Sequence, residues 1–191
     1  MKIERIEIYP LEAKLPKLFG WSQRWTDARM TTAVKITADD GTYGWGESGN
    51  AQGMEAVAPL LIGKDPRRTE AIWQMLYTLR YQGHGSAGPH MLAISAFDIA
   101  LWDIAGKAAG LPVCELLGGR VRDHIPVYAT GLYYTEDDFP DPLTEEAVGY
   151  VRAGFTGMKM KIGGKPVAED IKRVYHLREA IRWSLSVWMC C

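Results

Sequence analysis

Polar and apolar residues alternate through the first stretch of the chain, where Ile3, Ile6, Ile8 and Leu11 mark a strand. Ala33, Val34 and Ile36 mark a second strand over 31–37. Asp39-Asp40-Gly41 follows, and an Asp-Gly pair readily supplies the positive φ of a tight hairpin, so 42–47 is predicted to return as a third strand. The segment 17–29, between the first two strands, holds Phe19-Gly20-Trp21 and Trp25 and is predicted as a loop. Two readings of its tryptophans stand side by side: ordinary packing, or an aromatic lid over a ligand.

From Met54 the spacing of apolar residues changes to three and four. Thr69 is the predicted N-cap of a helix over 70–81 carrying Ile72, Trp73, Leu76 and Leu79. A glycine-rich break with His84 and His90 precedes a second helix over 91–109, with Leu92, Ile94, Phe97, Leu101, Ile104 and Ala108 as its core. Asp103 and Lys107 form an i,i+4 pair on its polar side. Asp98 and Asp103 are five apart, on different faces, and so do not suit a shared metal. His84 and His90 lack further ligands nearby and are read as solvated or interface residues, while His124 and His176 have no supporting context.

Past Leu116-Leu117-Gly118-Gly119 the rhythm becomes strand, helix, strand, helix over 125–133, 144–153, 157–162 and 167–181. The last helix is predicted to bury Ile171, Val174, Leu177 and Ala180. Such a βαβα order with short connections predicts a parallel sheet. Two such units neither close a barrel nor complete an open sheet. The final stretch, 182–191, loses helical periodicity and has no charge after Arg182. It reads as a non-native-looking tail left by a truncation or frame change near Ile181, or else as a short buried third strand.

The candidate chemistry lies in Lys159-Met160-Lys161. Alternation along a strand puts both ammonium groups on one face, about 7 Å apart, with Met160 on the other. Mutual repulsion and burial favour the neutral amine of one member, the form a lysine general base requires. A solvated strand face is the bland alternative. Asp137, Asp138 and Asp141 cluster in a Pro-containing loop and read as a solvated charge run.

Composition narrows the setting. The 191 residues are 47% hydrophobic and 24% charged, with a formal net charge of −1, which gives no reason to expect nucleic acid or an anionic membrane as partner. The three cysteines, Cys114, Cys190 and Cys191, make neither a disulfide framework nor a zinc spacing. The N-terminus lacks the apolar core of a signal peptide, and no stretch approaches the ~18 apolar residues of a membrane span. A cytoplasmic protein is expected.

The chain resembles the mandelate racemase and muconate lactonizing branch of the enolase superfamily. The matching residues are Met1-Lys2-Ile3, Tyr9-Pro10-Leu11, Asp40-Gly41-Thr42-Tyr43-Gly44-Trp45-Gly46-Glu47 and Ser95-Ala96-Phe97-Asp98-Ile99-Ala100-Leu101-Trp102-Asp103-Ile104-Ala105-Gly106-Lys107. Leu116-Leu117-Gly118-Gly119 and Lys159-Met160-Lys161 complete the series. The resemblance implies an α+β capping domain over 1–122, then the first two βα units of a TIM-type barrel over 123–181, with 182–191 as the tail.

It also implies that a Mg²⁺-bound carboxylate loses its α-proton to a base. Lys161 is then the base, and Lys159 its electrostatic neighbour on the substrate carboxylate. The segments 18–27 and 48–53 become loops over the barrel mouth, which makes Trp21, Arg24, Trp25 and Asn50 candidate substrate contacts. The family's metal ligands come from later strands, so no metal site is expected within this chain. A sugar-acid dehydratase is the first reading, with a racemase, epimerase or cycloisomerase as alternative, and the full-length enzyme is expected to be a homo-oligomer. From a different class, a non-catalytic binding or assembly module remains open, and the chain itself is expected to be inactive.

Overall fold

In a computed structural model, residues 1–22, 24–49, 52–79, 88–137, 139–181 and 186–190 are described. The elements are β1 (Ile3–Trp21), β2 (Arg24–Ala38), β3 (Tyr43–Ser48), α1 (Met54–Val57), a 3₁₀ turn (Ala58–Leu60), α2 (Thr69–Thr78), α3 (Pro89–Ala109) and α4 (Val113–Leu116). There follow β4 (Ala129–Thr130), β5 (Tyr134–Thr135), α5 (Asp141–Arg152), β6 (Gly157–Lys161), α6 (Val167–Ala180) and β7 (Ser186–Cys190). Among the described residues no helix is long and apolar enough to cross a membrane. The chain divides into two compact units: Met1–Ala13 with Met30–Val121, and Lys14–Arg29 with Arg122–Cys191. The segment 14–29 therefore groups with the second half of the chain, unlike the division drawn from the sequence.

The first unit is an antiparallel sheet covered by helices. β2 and β3 pair with Val34 opposite Gly46 and Ile36 opposite Gly44. Val34, Ile36 and Ala38 point inward and their neighbours outward, the period-2 pattern of a half-buried strand. Ile94, Phe97, Leu101 and Ile104 of α3 join Ile3, Val34, Ile36, Ile72 and Leu76 in one core. A side chain at Gly44 or Gly46 would run into the carbonyl oxygens of Ala100 and Ala96, so glycine is what lets α3 approach β3. Pro89 opens this helix, and Gly110 closes it with φ of 67°.

Several expectations are corrected here. Leu92, two positions before Ile94, falls on the opposite side of α3 and is exposed, as is Ala108 in its last turn. Thr69 is the first helical residue, with Arg68 ahead of it as the cap. Leu79 ends up exposed just past α2, and the predicted continuation beyond 79 lies outside the described residues.

The second unit holds a three-stranded parallel sheet, in the order β4-β6-β7. Leu132, Leu143, Ala147, Met158, Met160, Leu177 and Ile181 form its core, with Val187 packed against them. The predicted loop 17–29 is instead the distal end of a long hairpin, strand up to Trp21 and again from Arg24. It gains a further partner in β5, with Phe19 opposite Thr135 and Gly20 opposite Tyr134. That pairing satisfies the backbone groups a loop would have left to water.

The strand predicted over 125–133 shortens to Ala129–Thr130, because Ile125, Val127 and Tyr128 are exposed and Leu132 turns the chain with φ of 53°. Of the two expectations for the tail, the structure forms the third strand. Ser186–Cys190 runs parallel to β6, with Met158 opposite Val187 and Met160 opposite Met189, so the lysine strand has a neighbour on each side. In α6 the inward residues are Asp170, Arg173 and Leu177, whereas Ile171 is exposed.

Candidate functional site

β6 presents its two faces as strand alternation requires. Met158 and Met160 are fully buried in the core beneath α5 and α6, while Lys159 and Lys161 lie on the opposite face. Lys161 is only 8% exposed, and Lys159 is half-buried. Burial of an amine to that degree on a strand end calls for partners nearby. The Lys161 ammonium stands 5.5 Å from the ring centroid of Tyr133. Tyr133 meets Phe19 edge-on at 5.0 Å and Trp21 at 6.4 Å. The Arg29 guanidinium lies 4.4 Å from the Phe19 ring and 5.3 Å from that of Tyr133. The face thus combines aromatic walls with the cations Lys159, Lys161 and Arg29, a surface suited to an anion.

The predicted contacts divide. Trp21 joins this cluster through Phe19 and Tyr133, and Arg24 lies 5.8 Å over the Trp21 ring. Trp25 lies against Gly20 on the neighbouring strand, where an added Cβ would sit 2.7 Å from its ring, and it stays 43% exposed. Asn50 lies outside the described residues.

Beneath the lysines is a buried polar network that the sequence reading missed. The Tyr134 hydroxyl donates to Asp170 Oδ1 at 2.6 Å and accepts from the Gly164 amide at 3.1 Å. Asp170 Oδ2 accepts from the Gly163 amide at 2.7 Å. Arg173 donates to the Lys161 carbonyl at 3.1 Å, lies 3.4 Å from Asp170 Oδ1, and stacks its guanidinium 4.1 Å from the Tyr134 ring centroid. Burial, followed by the bond to Asp170, pushes the Tyr134 phenol up to about 12. From α5, Glu146 accepts from the Leu132 amide at 3.1 Å and the Tyr150 hydroxyl at 2.6 Å. Burial and then Glu146 raise the Tyr150 phenol.

Tyr133, Phe19 and Arg29 were also missed. The signal for the first was the pair Tyr133-Tyr134, since adjacent residues in extended chain face opposite ways. One ring meets the lysine face and the other meets Arg173.

Among the described residues no group of three His, Cys, Asp or Glu side chains is placed to hold a metal ion. Asp137 is exposed, Asp141 opens α5, and Asp138 lies outside the described residues. Asp98 is half-buried, its carboxyl raised by that burial and then by Glu70. His90 meets the Leu76 carbonyl at 3.1 Å, and His176 meets the Phe139 ring edge-on, so both serve packing. His124 is exposed, and His84 lies outside the described residues.

An antiparallel sheet under helices, with a parallel strand carrying a lysine pair, defines an α+β protein with a cation-rich site. The family model described as "Mandelate racemase / muconate lactonizing enzyme, N-terminal domain" matches residues 22–118, and the chain belongs to that family. It is 41% identical to D-galactarolactone cycloisomerase of Agrobacterium fabrum over 95% of this chain and 49% of that protein. Arabinonate dehydratase of Saccharolobus solfataricus is 39% identical over 78% of this chain and 42% of its own length. The crystal structure of 3,6-anhydro-D-galactonate cycloisomerase from Zobellia galactanivorans superposes with a TM-score of 0.84 at 38% identity, covering 99% of this chain and 50% of that one. The chain spans about half the length of these relatives.

Proposed function

We propose that this chain forms the first half of an enolase-superfamily enzyme that removes the proton α to the carboxylate of a sugar acid, with Lys161 as the base. The observation that carries this is the placement of Lys161, nearly buried on a strand face beside Tyr133 and the cations Lys159 and Arg29. The capping domain is proposed over 1–122, of which 14–29 group with the second unit, and the parallel strands β4 and β6 are proposed to open a TIM-type barrel. Dehydration is the first choice of reaction. Cycloisomerisation, racemisation or epimerisation shares its first step, and the printed names of relatives include both dehydratases and cycloisomerases.

The chemistry follows from the side chains. The amine lone pair of Lys161 takes the α-proton, and the C–H electron pair becomes the carbon–carbon π bond of an enediolate. Negative charge then resides on the carboxylate oxygens, where Lys159 offers opposite charge. In a dehydration the enediolate expels the β-hydroxyl, which leaves as water on gaining one proton, equal to the one Lys161 has taken, so that no net proton is consumed. The resemblance implies Mg²⁺, but the described residues assemble no donor set for it. The part assigned to this chain is to bind, orient and move the proton. Trp21 and Arg24 are proposed as substrate contacts on the hairpin end.

Deuterium exchange tests the proposal. The chain is fused to the half of the A. fabrum cycloisomerase that it does not match, and loss of the α-proton of sugar acids to D₂O is followed by NMR with Mg²⁺ present. Exchange that disappears in Lys161→Ala is the expected result. Exchange at an unchanged rate in that variant excludes Lys161 as the base, and no exchange in the fusion itself rejects the whole reading.

A further inference from the structure

We propose that Arg173 is the positioning residue for Lys161, acting through the strand backbone, with Asp170 and Tyr134 holding Arg173 in place. This rests on Lys161 being the base. The Lys161 amide donates to the Leu132 carbonyl at 3.3 Å, and the Lys161 carbonyl accepts from Arg173 at 3.1 Å. Both peptide groups that flank the Lys161 Cα are therefore tied, one to the β4 side and one to α6. With φ and ψ fixed in this way, the Cα–Cβ direction is fixed, and the amine is delivered to one place.

The amides of Gly163 and Gly164, just past Ile162, are tied to the same network, Gly163 to Asp170 and Gly164 to the Tyr134 hydroxyl. The turn that ends the lysine strand is thus built on three side chains, Tyr134, Asp170 and Arg173. Each is nearly or fully buried, at 1%, 8% and 1% exposure.

A buried Arg and Asp are poor material for stability alone, because an apolar stripe would fill the same space without desolvating two charges. α6 has apolar residues to offer, yet it leaves Ile171 and Val167 exposed and turns Asp170 and Arg173 inward. What an apolar stripe cannot do is bond a carbonyl at the end of a strand. Arg is also the side chain that can stack on the Tyr134 ring while its N–H groups reach two acceptors. A general base must be held within hydrogen-bond reach of the proton it takes, so this fixing of the strand end has a use that packing lacks.

The test reads the Lys161 amine directly and needs no turnover. The folded 191-residue chain is acetylated with trace anhydride, and the labelling of Lys161 relative to Lys159 is read by mass spectrometry. Arg173→Met keeps length and apolar contact with Tyr134 but donates nothing. It should raise the Lys161:Lys159 ratio by about fivefold, the equilibrium factor of one net hydrogen bond. Arg173→Lys, which retains a donor, should restore the ratio to near the wild-type value. Leu177→Val, which loosens the same core without touching the network, is the control for general destabilisation and should leave the ratio unchanged.

If Arg173→Met does not fold, Tyr134→Phe replaces it. That variant keeps the ring under Arg173 and removes the hydroxyl that holds Asp170 and Gly164, and it too should raise the ratio. A ratio unchanged in the folded variant, or moved equally by Leu177→Val, overturns the proposal. The readout does not depend on proton exchange, so a failure of the catalytic reading and a failure of this one are distinguishable.

Discussion

The backbone amide of Trp45 donates to the Asp103 carboxylate across 2.9 Å, joining residues 58 positions apart in sequence. The same carboxylate accepts from Lys107 at 2.8 Å, and Lys107 also reaches the Tyr43 carbonyl at 2.7 Å. Two side chains of α3 thereby occupy a donor and an acceptor on β3, the outer strand of its sheet. An open edge offers such groups to any strand that comes alongside, so the pair guards the edge as well as fastening the helix.

Asp103→Ala should destabilise the first unit by about 1 kcal/mol, the net worth of a partly exposed hydrogen bond. Asp103→Asn keeps an acceptor for the Trp45 amide and should lose less. Urea unfolding followed by tryptophan fluorescence measures both, and an unchanged midpoint for the alanine variant would show that the contact contributes nothing.

Gly46→Ala places a methyl group against the Ala96 carbonyl and should destabilise by about 1–3 kcal/mol, the usual cost of overpacking. Gly49→Ala, three positions later, meets open space at ordinary φ and should be near neutral. Equal thermal midpoints for the two variants would contradict the close approach of α3 to β3.

The Tyr134 phenol, pushed up to about 12, sits above its ordinary value of 10.0. As pH rises the unfolded chain gives up this proton first. The stabilising contribution is complete below pH ~10 and is lost as pH climbs towards ~12. Tyr150 is raised as well and acts in the same direction. Tyr134→Phe should therefore flatten, without abolishing, the fall in urea midpoint between pH 9 and 11. A variant with the wild-type slope would show that Tyr134 keeps its ordinary titration in the fold.

Val167, Ile171, Tyr175 and Met189 line a groove of about 500 Å³ between α6 and β7, and all four are exposed. Apolar surface of this kind promotes association. The chain should self-associate with rising concentration, and Ile171→Glu should shift it towards monomer in light scattering coupled to size exclusion. A wild-type chain that stays monomeric at high concentration would reject this.

Much of the first unit was legible from residue pattern. The second and third strands follow alternation and an Asp-Gly turn, and the core of α3 follows Ile94, Phe97, Leu101 and Ile104. The orientation of the lysine pair was legible for the same reason, since a period of two needs no tertiary information. The hairpin end was not. Phe19 and Gly20 look like loop residues until β5 arrives beside them, and nothing local announces that partner. The inward face of α6 was misread because hydrophobic periodicity assigns Asp and Arg to water. Partners from outside the helix, Tyr134 with the Lys161 carbonyl and the Gly163 amide, make their burial tolerable.

The hairpin end also sets an order of events in time. Lys14–Arg29 is made before Met30–Val121, but its partners in the second unit begin at Arg122, after the whole first unit has been synthesised. Phe19 must wait for Tyr133 and Thr135. Contacts so distant along the chain must meet their loop-closure cost before the contact rewards it, and they form late in folding. The aromatic segment nearest the lysine site thus leaves the ribosome well before its partners and is among the last to find its place. During that interval it is a segment for chaperones or neighbouring chains to capture.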